Sequence, residues 1–198
     1  DVPEAEALFR GYATGLCWSD KHLQDEVNDH RQVETLMGMM EVVCGGLDEF
    51  RRRPRVSVVC CTSSPLGIDR DFLDANLEVA RYGTPILVYP MPIAGGTAPI
   101  TVAGTVAMNV AEFLGVNAAI QLAAPGTPVM FGAGASLLDM KSGTFSFGAL
   151  ETALMVAACA EVPRRYLAKV ECAHSDVTGL RWHYLLHVFA NRRGHFRL

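Results

Sequence analysis

The pattern of apolar and polar residues predicts alternating strands and helices along most of the chain. Three short apolar, β-branched runs are typical of strands buried on both faces of a parallel sheet: VSVVCC (56–61), PILVY (85–89) and PVMFG (128–132). Each run is followed by a loop and then by a segment with helical spacing, at residues 69–83, 101–123 and about 149–162. Three successive strand–loop–helix units predict parallel βαβ connections and therefore an α/β fold.

The first fifty residues are predicted to be mainly helical. The apolar spacing indicates helix over residues 20–50, with Ser19 and Asp20 as candidate N-caps. Gly45 and Gly46 end its main part, and a short second piece follows at residues 47–53. Weaker strand signals lie in FRGYATGL (9–16) and near residues 166–172. With these two strands, the chain would contain about four to five βα units.

The loops on the two sides of the predicted sheet differ in length and composition. Those that follow strands are long and rich in Gly, Pro, Ser and Thr, whereas those that return from helix to strand are short. In a TIM (β/α)8 barrel the loops at the carboxyl ends of the strands carry the active site. We therefore expect a partial TIM barrel, since a complete one needs about 250 residues and eight strands.

A doubly wound sheet predicts the same loop side and is the alternative fold. Its phosphate-binding fingerprint, G-x-G-x-x-G after a strand, begins at Gly132 and Gly134 but has Leu137 at the position of the third glycine. A dinucleotide site is therefore not favoured.

Composition indicates a folded soluble protein, because 50% of the residues are hydrophobic and 19% are charged. The longest apolar run, residues 102–124, carries Asn109, Glu112 and Gln121 on one helical flank, so we expect no membrane span. The six cysteines form no C-x-x-C pair and no regular framework, which indicates free thiols in a reducing compartment. We therefore expect a cytoplasmic protein.

The C-terminal segment differs in composition from the rest of the chain. Residues 164–198 hold seven of the 17 Lys and Arg residues. We expect residues 1–170 to form the barrel domain and residues 171–198 to form a divergent basic tail. No RNP, zinc-finger or helix-turn-helix pattern accompanies the charge, so a nucleic-acid partner is not expected. His183 and His187 are spaced i, i+4 but lack the glutamate of H-E-x-x-H, so no metal site is expected.

Three loops together resemble one known family. The loops SSPL (63–66), PIAGGTAPITVAG (92–104) and DMKSGTFSFGALETALMVAA (139–158) are similar to those of the trimethylamine methyltransferase family, which also includes glycine betaine methyltransferases. The resemblance covers about residues 20–170 and implies a TIM barrel. It also implies transfer of a methyl group from a tertiary or quaternary amine to the cobalt of a corrinoid (cobalamin). That corrinoid is carried by a separate partner protein, so none would be tightly bound to this chain.

The resemblance leaves the catalytic residues unassigned. In the trimethylamine branch of the family a pyrrolysine acts on the amine, and its segment is not found in this sequence. The candidate substrate-binding residues lie in or beside the three loops: Tyr89, Gly95, Gly96, Thr97, Phe145, Phe147 and Ser64.

Aromatic faces suit a quaternary ammonium ion, which Tyr89, Phe145 and Phe147 would supply. Phe131 is a further aromatic candidate, although it fits the core equally well. Ser64 would either bind the ligand or cap the next helix, for which Asp69 is the better candidate.

The glycine pair raises two interpretations. Gly95 and Gly96 would let the backbone approach a ligand or the corrin face, with their N–H groups and Thr97 acting as donors at the start of a helix. The alternative is a tight turn that requires positive φ.

Two functions remain open from the sequence. The first is a methyl-transferring enzyme or a part of one. The second is a non-catalytic partial barrel that only binds or assembles, which the small number of strands favours. Because a partial barrel must cover its open sheet edges, we expect a homo-oligomer.

Overall fold

The computed structural model describes residues 4–166 and 171–173. Six helices and eight strands occur in that part of the chain. In order they are α1 (Glu4–Trp18), β1 (Leu23–Glu26), α2 (His30–Cys44), α3 (Leu47–Arg52), β2 (Val56–Cys61), α4 (Arg70–Arg81), β3 (Ile86–Tyr89), β4 (Ile93–Ala94), α5 (Val102–Ala123), β5 (Val129–Gly132), β6 (Ser136–Asp139), β7 (Thr144–Ser146), α6 (Leu150–Tyr166) and β8 (Glu171–Ala173).

Five strands form one parallel sheet in the order β1-β2-β3-β5-β8. Val58 lies opposite Ile86, and Ile86 lies opposite Val129, so the strands of PILVY and PVMFG are parallel as predicted. The α/β class is thereby confirmed. Within the described residues the strands follow one another in chain order, without the reversal that defines a doubly wound sheet.

Helices cover one face of this sheet. Cys60, Val88 and Phe131 belong to an apolar cluster that also contains residues of α2, α4, α5 and α6. The ring of Phe131 meets that of Phe113 on α5 edge to face, with 4.7 Å between the ring centroids. Phe131 is therefore a core residue, which is one of the two roles predicted for it.

The opposite face of the sheet, which we call the inner face, carries a separate cluster. Leu87 and Met130 are buried there, with Val59 and Tyr89 packed against them. Among the described residues no helix contributes to this cluster. The wall of a TIM barrel has the same arrangement: helices cover its outer face, and side chains pack against each other on its inner face.

The prediction for the N-terminal region was wrong in two places. Residues 23–26, expected in a helix, form strand β1, because they pair with β2 from Leu23 opposite Val56 onward. The following helix begins at Asp29, whose side chain accepts a hydrogen bond from the Gln32 N–H. The predicted end at Gly45 is confirmed, since Gly45 has a φ of 77°.

FRGYATGL, expected as a strand, lies within helix α1. Tyr12 is buried, and Leu8 and Leu16, four residues before and after it, pack against the same core, which is the spacing of a helix. A Cβ on Gly15 would lie 2.8 Å from Leu23 Cδ1, so the glycine lets α1 approach β1 closely.

Two of the long loops contain a second, three-stranded sheet in the order β4-β6-β7. Strand β4 follows β3, and β6 and β7 follow β5, so this sheet lies beyond the carboxyl ends of two neighbouring strands. Ile93 pairs in parallel with Ser136, and Leu138 pairs antiparallel with Phe145. The loops predicted for both segments therefore contain short strands that the apolar pattern does not indicate.

Helix α5 is long and apolar. Of the helices in the described residues, it alone has the length and hydropathy of a membrane-spanning helix, with 22 residues and a mean hydropathy of 1.3. A core helix of a soluble protein can have the same length and hydropathy. In this structure Phe113 and Ile120 of α5 are fully buried, and the helix packs against α4, α6 and β3.

Candidate functional site

Strands β1, β2 and β3 end in side chains that share the inner face. Glu26 closes β1, Cys61 closes β2 and Tyr89 closes β3. Cys61 lies opposite Tyr89 in the strand register, and its thiol donates to Glu26 Oε1 over 3.1 Å. A carboxylate, a thiol and a phenol ring are therefore neighbours at the carboxyl end of the sheet.

The ring of Tyr89 lies against the backbone of two glycines: Gly132, the last residue of β5, and Gly134 in the segment after it. A Cβ on Gly134 would lie 2.8 Å from Tyr89 Cε1, and one on Gly132 would overlap Tyr89 Cδ2. Neither position has room for a side chain, so both glycines are required by the position of the tyrosine ring. In the sequence these two glycines are recognisable only as an incomplete dinucleotide-binding fingerprint.

The thiol of Cys61 stays protonated at neutral pH. Burial, the hydrogen bond to Glu26 and the negative charge of that carboxylate together raise the pKa of Cys61 to about 12. Its neighbour Cys60 faces the helices, and burial followed by the Glu26 charge raises its pKa to about 12 as well. Because the thiolate is the reactive form, neither cysteine is a ready nucleophile.

A buried carboxylate on α5 holds the loop after β2. Glu112 is 4% exposed and accepts hydrogen bonds from Thr62 Oγ1, from Ser64 Oγ at 2.9 Å and from the Leu66 N–H at 2.9 Å. Leu66 has a φ of 54°, a conformation that is uncommon for a residue with a side chain. Glu112 thus holds a tight loop in place at the carboxyl end of β2.

The same face of α5 holds the loop after β3. Asn109 Nδ2 donates to the Pro90 carbonyl over 3.1 Å, and Thr105 Oγ1 donates to the Pro99 carbonyl over 2.7 Å. The sequence places Asn109 and Glu112 on one polar flank of the helix, and the structure shows that both are buried. The signal that could have found them is three polar residues at i, i+4 and i+7 in an otherwise apolar helix.

The segment Ile93–Ala98 is a closed turn. The Gly95 N–H donates to the Ala98 carbonyl, and the Gly96 N–H donates to the Ile93 carbonyl. Thr97 Oγ1 accepts a hydrogen bond from the Ile93 N–H.

The predicted donor role of this glycine pair is wrong, because the turn itself uses both N–H groups. The helix also begins further on, at Thr101, which caps it by accepting from the Gly104 N–H. Gly95 has a φ of 81°, which agrees with the alternative that the turn requires positive φ.

Phe145 and Phe147 lie at the edge of the small sheet and are 56% and 55% exposed. Their rings meet edge to face with 5.7 Å between centroids. Other apolar side chains in the loops on this side of the sheet are exposed too; Leu66, Ile100 and Met140 are examples. We call these five side chains the rim.

The sequence profile described as trimethylamine methyltransferase (MTTB) matches residues 1–177. The chain belongs to the trimethylamine methyltransferase family. The resemblance seen in the three loops is thereby confirmed and extends further at both ends.

Proteins named trimethylamine methyltransferase or glycine betaine methyltransferase are similar over most of this chain. It is 32% identical over 165 residues to trimethylamine methyltransferase MttB of Desulfitobacterium hafniense (strain DSM 10664 / DCB-2), which covers 83% of this chain and 32% of that protein. It is 29% identical over 166 residues to the glycine betaine methyltransferase of Desulfitobacterium hafniense (strain Y51), covering 84% and 35%. Identity to MttB of Methanosarcina barkeri (strain Fusaro / DSM 804) is 33% over 146 residues, covering 73% and 29%. The chain spans about a third of the length of these relatives.

Loops matching the family motifs lie at one end of the sheet, but other candidate positions do not. Asp20, predicted as a helix N-cap, precedes strand β1 at the amino end of the sheet. A cavity of about 360 Å³, lined in part by Arg51 and Arg81, lies at that end too.

Two predictions on side-chain roles have definite outcomes. Asp69 caps α4 by accepting from the Phe72 N–H, as predicted. Cys17, Cys44, Cys60, Cys61 and Cys159 are free thiols, as predicted. No group of three His, Cys, Asp or Glu residues that could hold a metal occurs in residues 4–166. His183 and His187 lie outside the described residues.

Proposed function

We propose that this chain is part of a methyltransferase that moves a methyl group from a tertiary or quaternary amine to a corrinoid carried by a separate protein. The observation that carries the proposal is the placement of the three family-like loops. They follow β2, β3 and β5, which are neighbours in one parallel sheet, so the loops meet at a common edge. Membership of the trimethylamine methyltransferase family supports the reaction type.

The described sheet is, in this proposal, a sector of a TIM barrel. Its support is the chain-order arrangement of parallel strands with helices on one face only. The remaining wall would come from residues that the longer relatives contain and this chain does not, since it spans about a third of their length. Functional residues of a TIM barrel lie at the carboxyl ends of its strands, which is where Tyr89 and Ser64 are found.

The reaction depends on binding the amine and aligning its methyl group more than on acid–base catalysis. When the nitrogen–methyl bond of a quaternary ammonium breaks, the electron pair stays on nitrogen and a neutral amine leaves. The reduced cobalt of the partner's corrinoid would supply the nucleophile. This chain would bind the cation, exclude water and orient the methyl group toward the partner. The face of the Tyr89 ring suits the first task, because a cation–π interaction contributes about 0.5–2 kcal/mol to binding.

The rim fits a contact with a second protein that brings the corrinoid. Phe145 and Phe147 are more than half exposed, as are Leu66, Ile100 and Met140. Exposed apolar residues gathered on one side of a protein often mark such contacts. The partner would then meet the side of the sheet where substrate binds.

The test uses the intact protein with a corrinoid protein in its reduced state. Loss of the cob(I)alamin absorbance on addition of trimethylamine or glycine betaine is the expected result. Unchanged absorbance with every methylated amine tried, under conditions where a known family member reacts, would contradict the proposal.

A non-catalytic role is the second candidate, and one observation favours it. Within the described residues the parallel sheet has five strands, whereas a TIM barrel closes with eight. Size-exclusion chromatography with light scattering separates the two. A discrete homo-oligomer is expected if copies cover each other's open edges, whereas heterogeneous aggregates would speak for an inactive remnant. We also propose a cytoplasmic location.

A further inference from the structure

One carboxylate faces the site from the sheet. Of the residues of β1, β2, β3 and β5 that lie on the inner face, Glu26 is the only acid whose side chain the structure describes. Gln24 lies on the same face and donates to Ser57 Oγ over 2.8 Å. Asp25, between them, lies on the other face, opposite Val58 in register.

Glu26 is half-buried and has no cationic partner among the described residues. The six ion pairs in that part of the chain involve other acids. The thiol of Cys61 donates one hydrogen bond to Glu26 Oε1 at 3.1 Å, which orients the carboxylate without neutralising it. A carboxylate held partly out of water without a counter-charge attracts a cation.

Cys61 connects this charge to the aromatic ring. It is hydrogen-bonded to Glu26 on one side and lies opposite Tyr89 on the other. Adjacent parallel strands are about 4.8 Å apart, so the carboxylate and the phenol ring lie within the span of a small ligand. The ring is backed by Gly132 and Gly134, which fix its position.

We infer that Glu26 and Tyr89 form the subsite that recognises the positive charge of the methylated amine. A quaternary ammonium has no N–H to donate, so it is recognised by opposite charge and by aromatic faces. Glu26 supplies the first and Tyr89 the second. This inference rests on the proposed function and assigns to Glu26 the selection of a positively charged substrate.

The test compares two neighbouring variants of the intact protein, Glu26→Gln and Asp25→Asn. Each removes one negative charge from β1, but on opposite faces of the sheet. The probes are trimethylamine, glycine betaine and 3,3-dimethylbutanoate, in which carbon replaces the charged nitrogen of betaine. Binding is measured by isothermal titration calorimetry. Thermal unfolding of each variant confirms that it is folded.

Glu26→Gln is expected to weaken binding of the two methylated amines about tenfold or more, with no such change for 3,3-dimethylbutanoate. Asp25→Asn should bind all three as the wild type does. Glu26→Asp, which keeps the charge, should retain part of the affinity and keeps the test valid if Glu26→Gln does not fold.

Equal affinities of wild type and Glu26→Gln for the amines would overturn the inference. So would an equal loss for all three probes or an equal loss in Asp25→Asn, since either result indicates a structural role. If the wild type binds and demethylates amines while Glu26→Gln does so equally well, the proposed function stands and only the inference fails. If the wild type binds none of the amines, both fail.

Discussion

Ser64 donates its hydroxyl hydrogen bond to Glu112 over 2.9 Å, across 48 residues of sequence. The contact joins the loop after β2 to the helix that follows β3. A helix of one βα unit therefore holds the loop of the preceding unit in place. The substrate-side loops are thus part of the packed structure, and the carboxylate of Glu112 is the group on which this depends.

Glu112→Gln should destabilise the protein by about 1–3 kcal/mol, because an amide NH2 would then face one of the donors of the loop. The change is measured as the free energy of unfolding in urea. Glu151→Gln is the matched control, since Glu151 lies exposed on α6 and should change stability little. Equal stability of the two variants would show that the loop does not depend on the buried carboxylate.

Gly134→Ala should disturb the position of Tyr89. The new Cβ would lie 2.8 Å from Tyr89 Cε1 and 2.9 Å from the Pro90 carbonyl oxygen, so the ring or the loop must move. We expect a loss of about 1–3 kcal/mol in unfolding free energy and a changed tyrosine fluorescence.

Gly115→Ala serves as the control for Gly134→Ala. Gly115 lies in the middle of α5, and a Cβ there would meet no atom within 4 Å. That variant should be stabilised by about 0.5–1 kcal/mol, because alanine favours the helix. A Gly134→Ala protein as stable as the wild type would mean that the ring has room to shift.

Strands β2, β3 and β5 could be predicted, because each has a neighbouring strand on both sides and packs against helices, and such strands carry continuous apolar runs. Strand β1 could not, since LQDE has no apolar run. As an edge strand it is defined by its pairing with β2, which the sequence does not show. Strands β4, β6 and β7 are short, and they too depend on partners distant in sequence.

The sequence predicts where the candidate site lies, but not which side chains contact each other there. Loop composition and family resemblance placed it after β2, β3 and β5, where the structure has these loops. The spacing of polar residues on α5 could have singled out Glu112, but the partners of Glu112 and Glu26 could not be predicted, because they lie 46–50 and 35 positions away. A carboxylate in a sequence does not reveal whether it faces solvent, a loop or a ligand.

Cys61 should react slowly with iodoacetamide at pH 8, because burial and Glu26 raise its pKa to about 12. Cys17 is exposed and should react faster. Peptide-level mass spectrometry over time measures both rates in the same sample. In Glu26→Gln, which removes the charge and leaves only a neutral acceptor for the thiol, Cys61 should react faster than in the wild type. Equal rates for Cys61 and Cys17 in the wild type would contradict the geometry of Glu26 and Cys61.

His22 should make the protein less stable in acid. Burial lowers the pKa of His22 below its ordinary value, which outweighs the hydrogen bond of Nδ1 to the Pro54 carbonyl, and Arg55 lowers it further. Its Nε2 is buried without a partner among the described residues. The unfolded chain therefore binds a proton more readily than the folded one. This part of the stability is fully present above about pH 6.5 and is lost as the pH falls from there through the lower pKa of the folded state.

Replacing His22 by Gln should therefore reduce the difference in unfolding free energy between pH 7.5 and pH 5.5. His30→Gln is the contrasting control, because the hydrogen bond to Glu78 and its charge raise the pKa of His30. The contribution of His30 is fully present at low pH and is lost as the pH rises through its folded pKa, so His30→Gln should increase the acid sensitivity. Urea denaturation at the two pH values measures both effects. A His22→Gln protein with the same pH dependence as the wild type would show that His22 accepts a proton in the folded state as easily as in the unfolded one.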